Sequence, residues 1–245
     1  MKHFSGIMML LLCFAQQIAA ETIYDAARER HIPVAISFPD DVSQCSAETQ
    51  CAVAFLSAGY GVPHLHYQFL TAELNQLGYL VVAIGHELPT DPPLAVSGNL
   101  YQRRSENWQR GADSLDFVQA TLRHSLKNYD FTRLTLIGHS NGGDISAWLA
   151  NTGKAYIDSI ITLDHRRVPL PRDNNIKVLS IRGSDFPADS GVLPTAAEQQ
   201  QYGSCVLTLA DARHNDMTDK GPAWLKQQIR HVLRQHLAGQ PCPDA

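Results

Sequence analysis

One serine of this chain stands in a setting that could make it a nucleophile. An apolar run, Leu134–Ile137, leads directly into the pentapeptide Gly138-His139-Ser140-Asn141-Gly142. A serine between a buried strand and a helix lies in a sharp turn, which projects its hydroxyl above the sheet. Glycine on each side lets the neighbouring backbone pass without a Cβ clash. The pattern predicts that Ser140 attacks a carbonyl carbon, with the backbone N–H of Asn141 near the oxyanion that forms.

The segments around this serine alternate between strand-length apolar runs and helix-period stretches. The predicted strands are Ile32–Phe38, Ala52–Leu56, Tyr79–Ile84, Leu134–Ile137, Ile157–Leu163, Lys177–Arg182 and Val206–Leu209. The predicted helices are His66–Leu77, Glu106–Ser125, Gly142–Asn151, Ala196–Tyr202 and Pro222–Leu237. Such alternation predicts an α/β fold in a single domain, with a mostly parallel central sheet covered by helices on both faces. The proline-containing stretch 85–107 is predicted to be a loop that could border a substrate groove.

Four segments together resemble the α/β-hydrolase superfamily. They are Tyr24–Val34, Leu56–Gly61, Leu77–Ala83 and the pentapeptide around Ser140. The resemblance is closest to the branch that contains dienelactone hydrolases, platelet-activating-factor acetylhydrolases and cutinase-like polyesterases. It implies the α/β-hydrolase fold over residues 21–245. The connection 164–176 is too short for a large lid domain between the sixth and seventh predicted strands. Ala58 departs from the pattern, because many relatives have a histidine there.

A serine hydroxyl needs a general base, and histidine has a suitable pKa near neutral pH. Of the 11 histidines, His214 follows the last predicted strand and precedes the C-terminal helix, where this fold carries its catalytic histidine. An aspartate must then hold the imidazole in the right tautomer. Asp185, after the seventh strand, is our first choice. Asp164, after the sixth strand, is the alternative by resemblance to the acetylhydrolases, and Asp189 is a distant third.

The resemblance also implies an oxyanion hole made of two backbone N–H groups. These belong to Tyr60 and Asn141, with Ala58 or Gly59 as alternatives for the first donor. A backbone donor needs no particular side chain, so the residue types leave this choice open.

The predicted activity is hydrolysis of a carboxylic ester, in a small molecule or an exposed polymer, through an acyl-enzyme on Ser140. An amidase, peptidase or acyltransferase could use the same three groups, because fold and triad do not define a substrate. A non-catalytic binding protein on this fold is a third hypothesis. The net charge of -4 argues against nucleic-acid binding. We expect no cofactor and no metal, since no nucleotide loop or zinc-ligand spacing occurs. The oligomeric state is left open.

The first twenty residues are typical of a secretory signal peptide. A positive start and a short apolar run precede Ala19-Ala20, after which we expect cleavage. The run is too short for a stable membrane anchor, so the protein is predicted to be exported to a periplasm or the exterior. Four cysteines would remain, and we expect two disulfides. The favoured pairs are Cys45–Cys51 and Cys205–Cys242.

Overall fold

The central feature of the computed structural model, which describes residues 19–243, is an eight-stranded sheet. Its strands are β1 (Ala19–Asp25), β2 (Arg30–Ser37), β3 (Cys51–Ser57), β4 (Leu80–Ile84), β5 (Tyr129–His139), β6 (Ile157–Leu163), β7 (Lys177–Arg182) and β8 (Cys205–Thr208). Their order across the sheet is β1-β2-β4-β3-β5-β6-β7-β8. β2 runs antiparallel to both of its neighbours, and all other pairs are parallel. The predicted mostly parallel sheet is therefore confirmed.

Residues 19–243 contain five α-helices, and all but the fourth cover the two faces of this sheet. They are α1 (Gln68–Gln76), α2 (Leu100–Ser125), α3 (Asn141–Ala150), α4 (Ala196–Tyr202) and α5 (Ala223–Leu237). One buried cluster joins the apolar sides of α2 and α3 to one face of the sheet. A second joins α1 and α5 to the other face. Both faces of the parallel strands are thus buried, which explains their continuous runs of valine, isoleucine and leucine.

The sheet brings three chain segments together where its parallel strands end, a side of the sheet that we call the carboxyl edge. In a parallel sheet all carboxyl ends lie on the same side, where ligands bind in open α/β folds. β5 ends at His139 and β6 ends at Leu163, directly before the candidate residues Ser140 and Asp164. The short 3-10 helix His214–Asp216 lies between β8 and α5. All three segments meet at the carboxyl edge.

The structure corrects the predicted start of α2. We predicted a loop from residue 85 to residue 107, but the helix begins at Leu100 and the loop ends at Asn99. The Asn99 side chain accepts a hydrogen bond from the Gln102 N–H and so caps the helix. Gly98 precedes it with φ of 81°. The prolines of the stretch all lie upstream of this cap, so they do not oppose the first turns of the helix.

β1 and β2 form an antiparallel hairpin, paired from Ala19–Ile36 to Asp25–Arg30. The predicted signal peptide, residues 1–20, lies outside the described residues apart from its last two positions, which begin β1. No helix between residues 19 and 243 is long and apolar enough to cross a membrane.

Both predicted disulfides are formed. Cys45 is bonded to Cys51, with Cα atoms 5.1 Å apart. Cys205 in β8 is bonded to Cys242, with Cα atoms 5.4 Å apart. The second bond ties the segment that follows α5 to β8. This strand lies at the end of the sheet, beside β7.

Candidate active site

Ser140 occupies a strained turn between β5 and α3. Its backbone has φ of 52° and ψ of -122°, a conformation that side-chain-bearing residues rarely adopt. A Cβ on Gly138 would lie 2.3 Å from the carbonyl oxygen of Gly142. A Cβ on Gly142 would lie 2.3 Å from the carbonyl oxygen of Ser57. Both glycines are therefore needed for this turn, as the sequence indicated.

Three side chains at this edge form a continuous hydrogen-bonded chain. The Oγ atom of Ser140 lies 3.0 Å from Nε2 of His214. On the other side of the ring, Nδ1 of His214 lies 2.7 Å from Oδ2 of Asp164. A carboxylate at Nδ1 holds the proton there, so Nε2 is left as the acceptor of the serine proton. Such an arrangement can supply a nucleophile, a general base and an acid that orients the base.

Asp164 is fully buried and ionised in its setting. Its Oδ1 atom lies 3.0 Å from Nη2 of Arg182 and accepts a 3.0 Å hydrogen bond from the Gly183 N–H. Burial by itself raises the pKa of Asp164, but the hydrogen bond from His214 and the charge of Arg182 outweigh it and leave that pKa below its ordinary value. Asp164 thus carries a negative charge next to the imidazole.

The structure reverses our order of preference between the two aspartates. Asp185, our first choice, does not hold the imidazole; its Oδ1 accepts a 2.7 Å hydrogen bond from the backbone N–H of His214. Asp189 forms a 3.2 Å ion pair with Arg166. Asp164 and Asp185 follow neighbouring parallel strands, so both lie near His214. Asp164 reaches the ring because φ of 53° turns its side chain inward at the end of β6.

An aromatic side chain that the sequence analysis did not single out packs against His214. The ring of Phe186 stacks on His214 with centroids 3.8 Å apart. The Arg166 guanidinium lies on the Phe186 ring, 4.6 Å from its centroid. Phe186 follows Asp185 directly, so one short segment holds both the backbone and the ring of His214. No periodic pattern marks such a loop residue in sequence.

The environment of Gly59 narrows the choice of oxyanion donors. The Gly59 N–H donates to the hydroxyl of Tyr67 at 3.0 Å, so it is already occupied. Asn141 is the first residue of α3, where the backbone N–H has no acceptor within the helix. The pair Tyr60 and Asn141 remains our prediction for the two donors, with Ala58 as the alternative to Tyr60.

The side chain of Asn141 forms hydrogen bonds with three other side chains. Its Oδ1 accepts from Nε1 of Trp108 at 2.9 Å, and its Nδ2 donates to Oδ1 of Asn107 at 2.8 Å. Nδ2 also lies 3.5 Å from Oε1 of Glu87. Burial raises the pKa of Glu87 to about 7, with the hydrogen bond from Asn141 opposing it. This network fixes Asn141 and so the start of α3.

His139 and Tyr67 connect the loop that follows β3 to the loop that carries His214. Nδ1 of His139 lies 2.8 Å from the Tyr67 hydroxyl, and its Nε2 lies 3.0 Å from the carbonyl oxygen of His214. Burial lowers the pKa of His139 to about 3, so the ring is neutral. The carbonyl can only accept, so Nε2 carries the proton and Nδ1 accepts from Tyr67. The Tyr67 hydroxyl in turn accepts from Gly59. We call these four residues the Tyr67–His139 brace.

No cluster of three or more potential metal ligands occurs in the part of the chain that the structure describes.

Comparison with known proteins shows which solved structures share this fold. No protein-family model and no curated protein matches the sequence. Solved structures do, including an α/β serine hydrolase homologue from Coxiella burnetii, with 16% identity over 91% of this chain and 99% of that one, and a TM-score of 0.56. A dienelactone hydrolase from Anabaena variabilis shares 12% identity over 92% of this chain and 99% of that one, with a TM-score of 0.60. A ferulic acid esterase from Streptomyces cinnamoneus shares 17% identity over 95% of this chain and 94% of that one, with a TM-score of 0.62.

Proposed function

We propose that this chain, which has the α/β-hydrolase fold of the structures above, is a serine hydrolase that cleaves carboxylic esters. The observation that carries the proposal is the hydrogen-bonded chain from Asp164 through His214 to Ser140, with distances of 2.7 and 3.0 Å. Its three members lie at the carboxyl edge of the sheet, on three different loops. A purely structural role for a half-buried serine in a strained turn offers no reason for that alignment.

The reaction follows from which atom carries each proton. Nε2 of His214 takes the hydroxyl proton as Oγ of Ser140 bonds to the ester carbonyl carbon. The negative charge moves to the carbonyl oxygen, where the N–H groups of Tyr60 and Asn141 are proposed to stabilise it. Collapse expels the alcohol, which takes the proton from His214 and leaves an acyl-enzyme. Water then repeats the sequence, losing a proton to His214, and releases the acid. Asp164 stabilises the imidazolium in both halves.

The openness of this edge favours short-chain esters and esters in exposed polymers over long buried lipids. Residues 164–176 join β6 to β7 without an inserted domain, and the ring of His214 and the serine are both partly accessible. A short-chain ester or an ester in an exposed polymer reaches such a site directly. Amide cleavage, acyl transfer and non-catalytic binding are the alternatives, and the same residues serve each of the first two.

The first test is turnover of a ladder of 4-nitrophenyl esters by the chain from Glu21 onward, beside Ser140→Ala. We expect hydrolysis by the wild type and loss of at least about 10³-fold in the variant. A fluorophosphonate probe should label the wild type and not the variant. If both proteins are inert towards all esters and towards the probe, the serine-hydrolase proposal is wrong. Labelling without ester turnover would instead favour an amidase or a transferase.

Export is part of the same proposal. The two disulfides are compatible with an oxidising compartment, where such bonds persist. The mass of the protein recovered from a periplasmic or secreted fraction would test it. We expect the mass of a chain that begins near Glu21, and an intact Met1 in the cytosolic fraction alone would contradict export.

A further inference from the structure

A buried ion pair anchors the loop between β4 and α2, residues 85–99, to the hairpin of β1 and β2. Nη1 and Nη2 of Arg30 lie 2.7 and 2.8 Å from Oδ1 and Oδ2 of Asp91, which is a bidentate contact. The two side chains are 9% and 8% exposed. Nη2 of Arg30 also donates to the carbonyl oxygen of His86. One arginine of β2 therefore holds two separate points of this loop.

The direction of β2 explains how Arg30 reaches the loop. β2 runs antiparallel to β4, and Val34 is paired with Ile84, the last residue of β4. Arg30 is the first residue of β2, so it lies past the end of β4. This position is at the carboxyl edge of the sheet, where Ser140 also lies.

The carboxylate of Asp91 depends on this arginine. The Leu88 N–H donates to its Oδ2 at 2.8 Å, and Nε of Arg110 on α2 lies 3.3 Å from its Oδ1. Burial raises the pKa of Asp91, but the hydrogen bonds from Arg30 and Leu88 outweigh it and leave that pKa below its ordinary value. Without Arg30, the buried charge would keep only the longer contact to Arg110 among the cations of residues 19–243. Loss of one partner from such a pair is costly, so the loop conformation depends on Arg30.

Two residues of the anchored loop contact the segment of the first proposed oxyanion donor. Nε2 of His86 lies 2.9 Å from Oγ of Ser57, the last residue of β3, and both side chains are buried. The Leu94 N–H donates to the hydroxyl of Tyr60 at 3.1 Å. Ala58, the alternative to Tyr60, lies between these two contact points in the chain. Either choice of donor therefore belongs to a segment that the loop contacts.

A third residue of the loop contacts the second proposed donor. Oε1 of Glu87 lies 3.5 Å from Nδ2 of Asn141, the residue after Ser140. His86 and Glu87 are adjacent, and the carbonyl that accepts from Arg30 belongs to the peptide unit between them. Arg30 thus contacts the short stretch that lies against both sides of the proposed oxyanion hole.

We infer that Arg30 is a positioning residue for the proposed oxyanion hole, acting through Asp91 and the loop 85–99. This inference rests on the proposed function and adds a residue outside the triad. The planar guanidinium fork fixes the carboxylate and the His86 carbonyl together, which a single ammonium group does not reproduce. A small displacement of the donors weakens their hydrogen bonds to the developing oxyanion, so the effect falls on the transition state.

The test compares 4-nitrophenyl acetate with its thiono analogue, in which sulfur replaces the carbonyl oxygen. Donors placed for an oxygen anion fit sulfur poorly, so the wild type should favour the oxygen ester. We expect Arg30→Met to lower kcat/KM for the oxygen ester by about 10-fold to 100-fold, and for the thiono ester by much less. Loss of folded protein lowers both values equally, so a merely structural role would leave their ratio unchanged.

The controls use a second arginine and two milder changes. Arg133 forms a 2.6 Å ion pair with Asp158, but its side chain is 65% exposed, and Arg133→Met should keep the wild-type ratio. Arg30→Lys keeps the charge without the fork, so its ratio should lie between those of the wild type and Arg30→Met. If Arg30→Met does not fold, Asp91→Asn decides the outcome, since its amide oxygen can still accept from the Leu88 N–H.

Hydrogen–deuterium exchange supplies a readout that needs no turnover. In Arg30→Met, exchange should become faster in segment 57–62 as well as in the loop 85–99, and Arg133→Met should change neither. Faster exchange in the loop alone would overturn the inference, as would an active Arg30→Met or Asp91→Asn with the wild-type ratio of kcat/KM values. In both cases the hydrolase proposal would stand. A wild type inert towards both esters and the fluorophosphonate probe would overturn the hydrolase proposal, and this inference with it.

Discussion

The roles of the two aspartates near His214 can be separated by a matched pair of substitutions, Asp164→Asn and Asp185→Asn. Asp164 holds the imidazole at Nδ1 from 2.7 Å, whereas Asp185 holds only the backbone N–H of the same residue. Each asparagine keeps the size of the side chain and removes its charge. The two variants therefore test one question, which is whether the charge beside the ring or the charge beside the backbone supports the chemistry.

The expected magnitudes follow from what each carboxylate contacts. An amide at position 164 can present a donor to Nδ1, which favours the wrong tautomer, and it no longer stabilises the imidazolium. We expect Asp164→Asn to lower kcat by about 10³-fold to 10⁴-fold. In Asp185→Asn the amide oxygen still accepts from the His214 N–H. The loss there is that of a charge-assisted bond converted to a neutral one, about 1 kcal/mol or about 5-fold to 10-fold in rate.

Asp164→Asn should also lower stability, because Arg182 is only 4% exposed and would lose its counter-charge. Breaking a buried ion pair costs about 3–5 kcal/mol, and the retained amide oxygen should keep the loss at the lower end. The assay is steady-state hydrolysis of 4-nitrophenyl acetate together with urea denaturation. The reasoning is refuted if Asp185→Asn loses about 10³-fold in kcat while Asp164→Asn stays within about 10-fold of the wild type.

Three further outcomes are expected. The surroundings of Asp164 lower its pKa, so the wild type should lose stability as pH falls below the ordinary aspartate range near 4. Asp164→Asn should lose less stability over that interval. Denaturation midpoints at pH 3 and pH 6 check this. Tyr67→Phe removes the hydroxyl of the Tyr67–His139 brace, so kcat should fall by about 10-fold with little change in KM. A variant that is inert and also melts at a lower temperature than the wild type would contradict a positioning role. Replacing Cys205 and Cys242 by serine opens a loop with a sequence separation of 37 and should lower the free energy of unfolding by about 4 kcal/mol, against about 2 kcal/mol for the pair Cys45 and Cys51, as read from urea denaturation.

The features that could be predicted from sequence are those with a local physical cause. The two glycines around Ser140 are required by a turn of a few residues, so their spacing alone indicated this turn. The continuous apolar runs reflect strands buried on both faces, and they located most of the sheet. The cysteine pairs were also predicted, since each could be paired by nearness in the expected fold. We missed the start of α2, because we predicted a loop from the upstream prolines and did not recognise Asn99 as a helix cap.

The features that only the tertiary structure decided depend on side-chain direction between distant segments. Asp164 and Asp185 end neighbouring parallel strands, so sequence position places both near His214 and cannot choose between them. In the structure Asp164 has a positive φ, forms an ion pair with Arg182 and reaches the ring of His214. Likewise, two adjacent arginines look alike in sequence, but the Arg167 side chain is buried with its Nε 3.9 Å from Asp189, whereas Arg166 lies on the ring of Phe186. Such differences arise when elements far apart in the chain pack together, because packing sets which groups are removed from water and which acceptors they meet.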